Sequence, residues 1–306
     1  MSAAAPAAGP SHGRLMMGIA LAAVGVAALL AAMKLVAYLL TDSIAMMASF
    51  ADSALDVLAS FVNLLAIRHA LTPADREHRF GHGKAEPLAG LGQGGLIAGS
   101  AAFLIVESVS RLVEPRPVEA AGVGLAVMGI SIAATAVLVV AQRIVIRRTG
   151  SLAVGADSMH YLGDLITNGG VILGILLAGE FGILVADPII GVAVALVLLW
   201  SAWHVFRQSY DQLMDRELPD ADRAKIKAIV MAHPEVRALH DLRTRAAGVR
   251  SFIQLHLELD PRMELLHAHE ISDAVEAELC AHFPNAEVII HQDPAGVEDN
   301  PALAAT

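Results

Sequence analysis

The 306 residues carry a formal net charge of -10, 56% of them are hydrophobic, and the mean hydropathy is +0.59. A chain this apolar puts part of itself in lipid; the acidic balance leaves no basic stripe for nucleic acid, and no Walker-type phosphate loop for ATP occurs in it. The single cysteine, Cys280, forms no intrachain disulfide, fits a reducing compartment and reads as a small buried hydrophobe.

An Ala- and Pro-rich start precedes an apolar run too long for a secretory core segment, so a retained first helix is expected. Six stretches reach the roughly 20 helical residues that cross a hydrocarbon core. They lie near Leu15–Leu40, Ile44–Ile67, Pro87–Leu112, Ala121–Ile146, Leu152–Leu177 and Ile183–Phe206. Thr41–Ser43 and Gly179–Phe181 read as short links between antiparallel neighbours, and Pro115 with Pro117 marks a further turn. Lys and Arg gather on one side, at Arg14, Arg68, Arg76, Arg79, Lys84, Arg143, Arg147 and Arg148, against Arg111 and Arg116 on the other. Both termini are therefore expected in the cytoplasm. Lys34 is expected to snorkel or to pair with Asp42, Glu107 to have no transport role, and Gly92, Gly94, Gly95 and Gly99 to pack a helix closely.

Beyond about Gln208 the composition becomes that of a soluble α+β unit. The expected division is a tail over 1–14, six spans over 15–207, a soluble domain over 208–295 and a flexible end over 296–306. Pro219 and Asp220 open a helix to about Ala232. Val236–Arg245 and Ser251–Asp260 read as strands around a turn at Ala247 and Gly248, Leu265–Phe283 as a second helix and Ala286–His291 as a last strand. This unit is short for an independent domain, so a partner chain is expected beside it.

The second apolar stretch holds Asp52 and Asp56, and the fifth holds His160 and Asp164. Each pair is four residues apart, about one helical turn, so its side chains share a face. An ionised carboxylate near a bilayer centre costs about 2.5 kcal/mol on the mildest scale, and two repel unless a cation lies between them. Three carboxylates and one imidazole suit a tetrahedral divalent transition ion: zinc, with ferrous iron, cadmium or manganese as competitors. Calcium would take more oxygens.

Two further histidine groups stand outside the spans. Asp75, His78 and His82 fall in one link, where they read either as metal donors or as ordinary exposed loop residues. His240, His256 and His291 fall on expected strands, His267 and His269 open the second soluble helix, and Asp293 follows the last strand. Strand histidines can be merely half-buried, but several converging on one small sheet beside an acid favour ligation. His12, His69, His204, His233 and His282 read as surface or interfacial residues.

The paired motifs D-S-A-L-D and H-Y-L-G-D, with F-G-H-G-K-A-E and the terminal V-I-I-H-Q-D-P, resemble the cation diffusion facilitator family, closest to its bacterial zinc and ferrous-iron efflux branch. The resemblance runs from the first span to about Asp293. It implies a homodimer in the bacterial inner membrane, with a six-helix transmembrane bundle per protomer and a metallochaperone-like α+β cytoplasmic domain. It also implies metal export driven by inward proton flow. Carried over by position, Asp52, Asp56, His160 and Asp164 match the transport site, and Asp75, His78 and His82 a loop site. His240, His256, His269, His291 and Asp293 match a binuclear site in the tail, Asp293 bridging and Gln292 supporting. Lys84 and Asp215 match a charge interlock, whose plain alternative is a solvated pair worth little. His267 matches no family ligand. His160 argues against the manganese branch, where an acid is usual.

Protons compete with metal for carboxylate and imidazole, which supplies a coupling, and rocking of helices would alternate the site between the two sides. A membrane-bound metal sensor or a divalent-cation channel without proton exchange is the alternative, although a four-donor cage holds ions too tightly for fast passage. No enzyme is expected: H-E-x-x-H is absent, and H-A-H-E has the wrong spacing for a metalloprotease.

Overall fold

The computed structural model describes residues 10–41, 44–113, 122–181 and 185–297. They form two compact units that divide at Gln212. The first unit is six consecutive helices: α1 (Pro10–Thr41), α2 (Ile44–Ala70), α3 (Ala85–Val113), α4 (Gly122–Thr149), α5 (Leu152–Phe181) and α6 (Ala186–Leu213). The shortest, α2, has 27 residues, about 40 Å of helix and enough to cross a bilayer. Five of the six are long and apolar enough for that by length and composition: α1, α2, α3, α4 and α6. The other, α5, has the length, at 30 residues, but its first half carries Asp157, His160 and Asp164. The expected link at Gly179–Phe181 is instead the last turn of α5. The expected turn at Pro115 and Pro117 lies outside the described residues.

Helix α1 packs on α2 and α4, while α5 packs on α3 and α4 and also reaches α2. Helix α6 is held against α3 and α5 by Ile97, Ala101, Ala156, Val194, Leu198 and Val205. Lipid offers no hydrophobic drive between helices, so close approach depends on small residues. A Cβ on Gly94 would lie 3.5 Å from the Ala202 carbonyl oxygen, and one on Gly163 only 2.8 Å from the Leu198 side chain. Of the four glycines expected to pack α3, only Gly94 does so. Gly92, Gly95 and Gly99 have nothing within 4 Å of a would-be Cβ, because that spacing sets them on another face of the helix. Lys34 Nζ donates to Ser53 Oγ on α2 at 2.6 Å, and the expected partner Asp42 lies outside the described residues. Glu107 accepts from Arg111 Nε one turn on, at 2.9 Å.

The second unit runs α7 (Asp220–Met231), β1 (Ala238–Ala247), β2 (Arg250–Leu259), α8 (Leu265–His282) and β3 (Ala286–Pro294). Pro219 precedes α7, and Asp220 and Asp222 in its first turn suit the positive end of the helix dipole. The sheet order is β1-β2-β3, antiparallel then parallel. A parallel pair requires a crossover, and α8 supplies it. The turn between β1 and β2 falls at Gly248 and Val249, one residue later than expected, with Gly248 at φ +63. β3 continues to Pro294, so Asp293 lies within the strand rather than after it.

Alternation along β2 decides what the sheet presents. Ile253, Leu255, Leu257 and Leu259 are buried against Ile226 and Val230 of α7 and Ile271, Val275 and Leu279 of α8. Gln254, His256 and Glu258 therefore stand on the opposite face. Cys280 packs at the edge of this core, where burial pushes its thiol pKa up, as a structural cysteine requires.

His267 donates through Nε2 to Glu235 at 2.8 Å and faces Glu270 through Nδ1 at 3.4 Å, and Glu235 first, then Glu270, raises its pKa. This pairing tethers the start of α8, which accounts for a histidine that matched no ligand. A raised folded pKa contributes stability that is full below the unfolded value of about 6.5 and is lost as pH rises through the folded value. Urea unfolding of the soluble unit with His267→Gln should therefore differ from the unsubstituted unit at pH 6 and converge with it at alkaline pH. Leu257→Ala, with its side chain wholly inside the core, should lower stability in the same assay by about 2–5 kcal/mol.

Candidate metal sites

Asp56 on α2 and His160 and Asp164 on α5 bring one donor atom each to within 4.8 Å of one another. The closest pair is His160 Nε2 and Asp56 Oδ1 at 3.1 Å. Tetrahedral zinc with bonds near 2.0 Å sets its donors about 3.3 Å apart, so a small closing motion would seat an ion. Asp52, one turn before Asp56, is exposed and lies outside this three-residue cluster.

Further buried polar groups stand on the same helices and their neighbours. Asp157, three residues before His160 on α5, is 2% exposed; its carboxylate accepts from Gln142 Nε2 of α4 at 2.8 Å and Gln93 Nε2 of α3 at 3.3 Å. Tyr161 Oη meets Ser60 Oγ of α2 at 2.7 Å and donates to the Ala23 carbonyl of α1 at 3.4 Å. Glu86 at the start of α3 accepts from Ser151 Oγ at 2.5 Å and from the Ala153 N–H at 3.3 Å. Sequence reasoning passed over Asp157 and Glu86. The spacing 157, 160, 164 follows one helical face and was the available signal for Asp157; Glu86 carries no such signal.

In the link between α2 and α3, Asp75 lies 3.4 Å from His78 Nδ1 and 3.5 Å from His82 Nε2. Its Oδ1 accepts the backbone N–H of His78 at 2.7 Å and of Glu77 at 2.9 Å, an Asx-type turn. Those N–H groups, His78 first, hold its carboxyl below the usual carboxylate range. Gly81, at φ +78, lets the chain turn so that His82 is buried while Asp75 and His78 stay exposed.

In the soluble unit the register sets His240, His256 and His291 in one row across the three strands. Asp293 Oδ2 lies 2.7 Å from His256 Nδ1 and 3.3 Å from His240 Nε2, while its Oδ1 lies 3.2 Å from His291 Nε2. One carboxylate thus faces His240 and His256 through one oxygen and His291 through the other. Glu258 joins at 3.2 Å from His240 Nδ1, and Asp241 lies 3.7 Å from His256 Nε2 at the bulge in β1. Alternation along the strands picks out Glu258; the bulge that turns Asp241 inward had no sequence signal. His269 is not in the row. It pairs with Asp273 at 3.5 Å on α8 and lines a shallow pocket with Leu265, Leu266 and Gln292. Gln292 Nε2 donates to Ser272 Oγ at 2.8 Å and the Ala268 carbonyl at 3.2 Å, so it braces α8. Lys84 belongs to the membrane unit and is half-buried before α3; Asp215 belongs to the soluble unit and accepts from Arg245 Nη1 at 3.1 Å.

Residues 20–214 match the family described as the cation efflux transmembrane domain, and residues 218–295 that described as the cation efflux protein cytoplasmic domain. The cation-efflux pump FieF of Klebsiella pneumoniae is 44% identical over 287 residues, covering 94% of this chain and 95% of the relative. FieF of Serratia proteamaculans is 42% identical over 288 residues, covering 94% and 96%. The solved metal-bound C-terminal domain of the CzcD transporter from Thermotoga maritima is 27% identical, covering 27% of this chain and 100% of that one, with a TM-score of 0.25.

If Asp293 bridges two ions, Asp293→Ala should remove both zinc equivalents from the soluble unit and His291→Ala only one. Calorimetric titration with zinc measures the stoichiometry; equal losses from the two variants would rule out a bridge.

Proposed function

The chain belongs to the cation diffusion facilitator family of cation efflux proteins, and from that premise we propose that it is a proton-coupled antiporter. It is a multi-pass membrane protein of divalent metal cation efflux. Its cargo, in our reading, is zinc first, with ferrous iron and cadmium as competitors, and it works as a homodimer in a bacterial inner membrane with both termini cytoplasmic. The observation that carries the reading is the 3.1 Å contact between His160 and Asp56, with Asp164 beside them, on two helices of the membrane unit.

Export of a dication from a negative interior opposes about 4.6 kcal/mol per 100 mV, twice the single-charge figure, before any concentration gradient. Proton exchange meets that cost through the donors themselves. A metal ion requires neutral imidazole and ionised carboxylate, whereas a proton on His160 turns its bond to Asp56 into an ion pair that excludes the metal. Metal and protons are thereby alternative occupants of one site. Rocking of α2 and α5 as a pair would carry either occupant across, and Asp52, one turn away, would join the ligand set when α2 turns.

The tail row would act as a sensor whose occupancy biases the transport equilibrium. His269 would reach a second ion there from the other copy of the chain, because in its own chain it stands beside Gln292 on the helix-covered side.

Zinc uptake into inside-out proteoliposomes should rise with an imposed proton gradient. Asp56→Ala and His160→Ala should each lower it at least about 100-fold, a loss of about 2.7 kcal/mol or more in transition-state terms. Gradient-independent uptake at channel-like rates would favour a divalent-cation channel, and zinc binding without transport a membrane-bound sensor. His256→Ala should shift the zinc concentration at which transport is half-maximal while leaving the maximal rate near normal.

A further inference from the structure

His69 stands in the last turn of α2, where its carbonyl accepts the Thr72 N–H at 2.9 Å and the chain leaves the helix. The link then doubles back, and the His82 ring comes to rest 4.5 Å, centroid to centroid, from that of His69. The His78 ring lies 4.5 Å from His82 on its own account. The interplanar angles are 63° and 46°, so neither pair is stacked face to face. Two imidazoles on one tetrahedral zinc, with bonds near 2.0 Å, hold their centroids about 5 Å apart. Both ring spacings are near that value, although the donor atoms within 4.8 Å of one another are those of Asp75, His78 and His82, so His69 would have to turn its ring toward them to share the ion.

Aromatic packing alone would account for a pair of rings, but not for His82. Its ring is 8% exposed, Nε2 faces Asp75, and Nδ1 is buried with no hydrogen-bond partner among the described residues. His82 thus has one nitrogen toward Asp75 and the other unpaired, beside two further imidazoles and an ionised carboxylate, and a turn of its ring would offer either nitrogen to a shared ion. Building on the reading of Asp75, His78 and His82 as a metal site, we propose that His69 is its fourth ligand, closing it into an N3O cage for a zinc-like divalent ion.

The fourth ligand changes what the site does. A zinc site with three protein donors keeps an open position and exchanges its ion, whereas four donors make a closed site whose binding energy is folding energy. Three nitrogens and one oxygen select zinc-like ions over magnesium or calcium. The cage fastens the end of α2 to the link before α3, and α2 is the helix that carries Asp52 and Asp56. The loop site is therefore a staple on that helix rather than a stop on the path of the cargo.

The test uses the full-length chain in detergent, with Asp56→Ala and His256→Ala silencing the other two clusters, and cobalt(II) as a coloured probe. This chain should give the intense visible bands of a four-coordinate ion. Loss of an outer-shell partner already costs 10–100-fold in metal affinity, so His69→Ala should weaken cobalt binding by at least about tenfold. It should also reduce the bands to those of a more hydrated ion. Zinc-edge X-ray absorption on the same background, with His69 in place, should count three imidazoles. Unchanged affinity and spectrum in His69→Ala, or a count of two imidazoles, would overturn the fourth ligand while Asp75→Ala still abolished binding. Binding indifferent to Asp75→Ala as well would remove the loop site itself.

Discussion

An ionisable group in the lipid cross-section must find a partner or lose its charge, and the contact between His160 and Asp56 answers that demand for both of them. It joins α2 to α5 across 104 residues of sequence. Neither side chain would persist where it is without the other, because an isolated charge in that environment costs several kcal/mol.

The surrounding groups are mostly dipoles rather than fixed charges. Gln142 and Gln93 bind Asp157, and Ser60 and Tyr161 bind each other, so α1 to α5 all contribute a polar atom to one buried region. In low dielectric such bonds are strong, and an unpaired member is expensive. Neutral partners would suit the proposed exchange of metal for protons at this site, since a permanent cation bonded to it would favour one occupant throughout. Lys34 is bonded to Ser53, the neighbour of Asp52.

The soluble unit applies a different constraint to similar chemistry. Strand parity commits Leu255 and Leu257 to the core and thereby commits His256 and Glu258 to the open face. The parallel pairing of β3 then sets His291 beside His256 and Asp293 beside Glu258. A slip of one residue would bury the histidines and expose the leucines, so the histidine row and the hydrophobic core are specified by the same register.

Much of this was legible in the residues. Long apolar runs dictated the membrane helices, since few other structures satisfy a backbone in lipid. The four-residue spacings of Asp52 with Asp56 and of His160 with Asp164 fixed shared helix faces, and alternation placed the strand histidines together. What needed the tertiary structure was whatever depends on the distance between elements. Asp52 and His269 have the right chemistry but stand outside their clusters; the turn of α2 and the side of the sheet that α8 covers decide that. Asp157, Glu86 and Asp241 draw their meaning from partners 15 to 67 residues away or from a bulge in a strand. His69 is the exposed residue at a helix end that its place in the chain suggests, and only the returning link shows that His82 lies against it. Periodicity along a chain determines which side chains share a face; only packing between elements determines which faces meet.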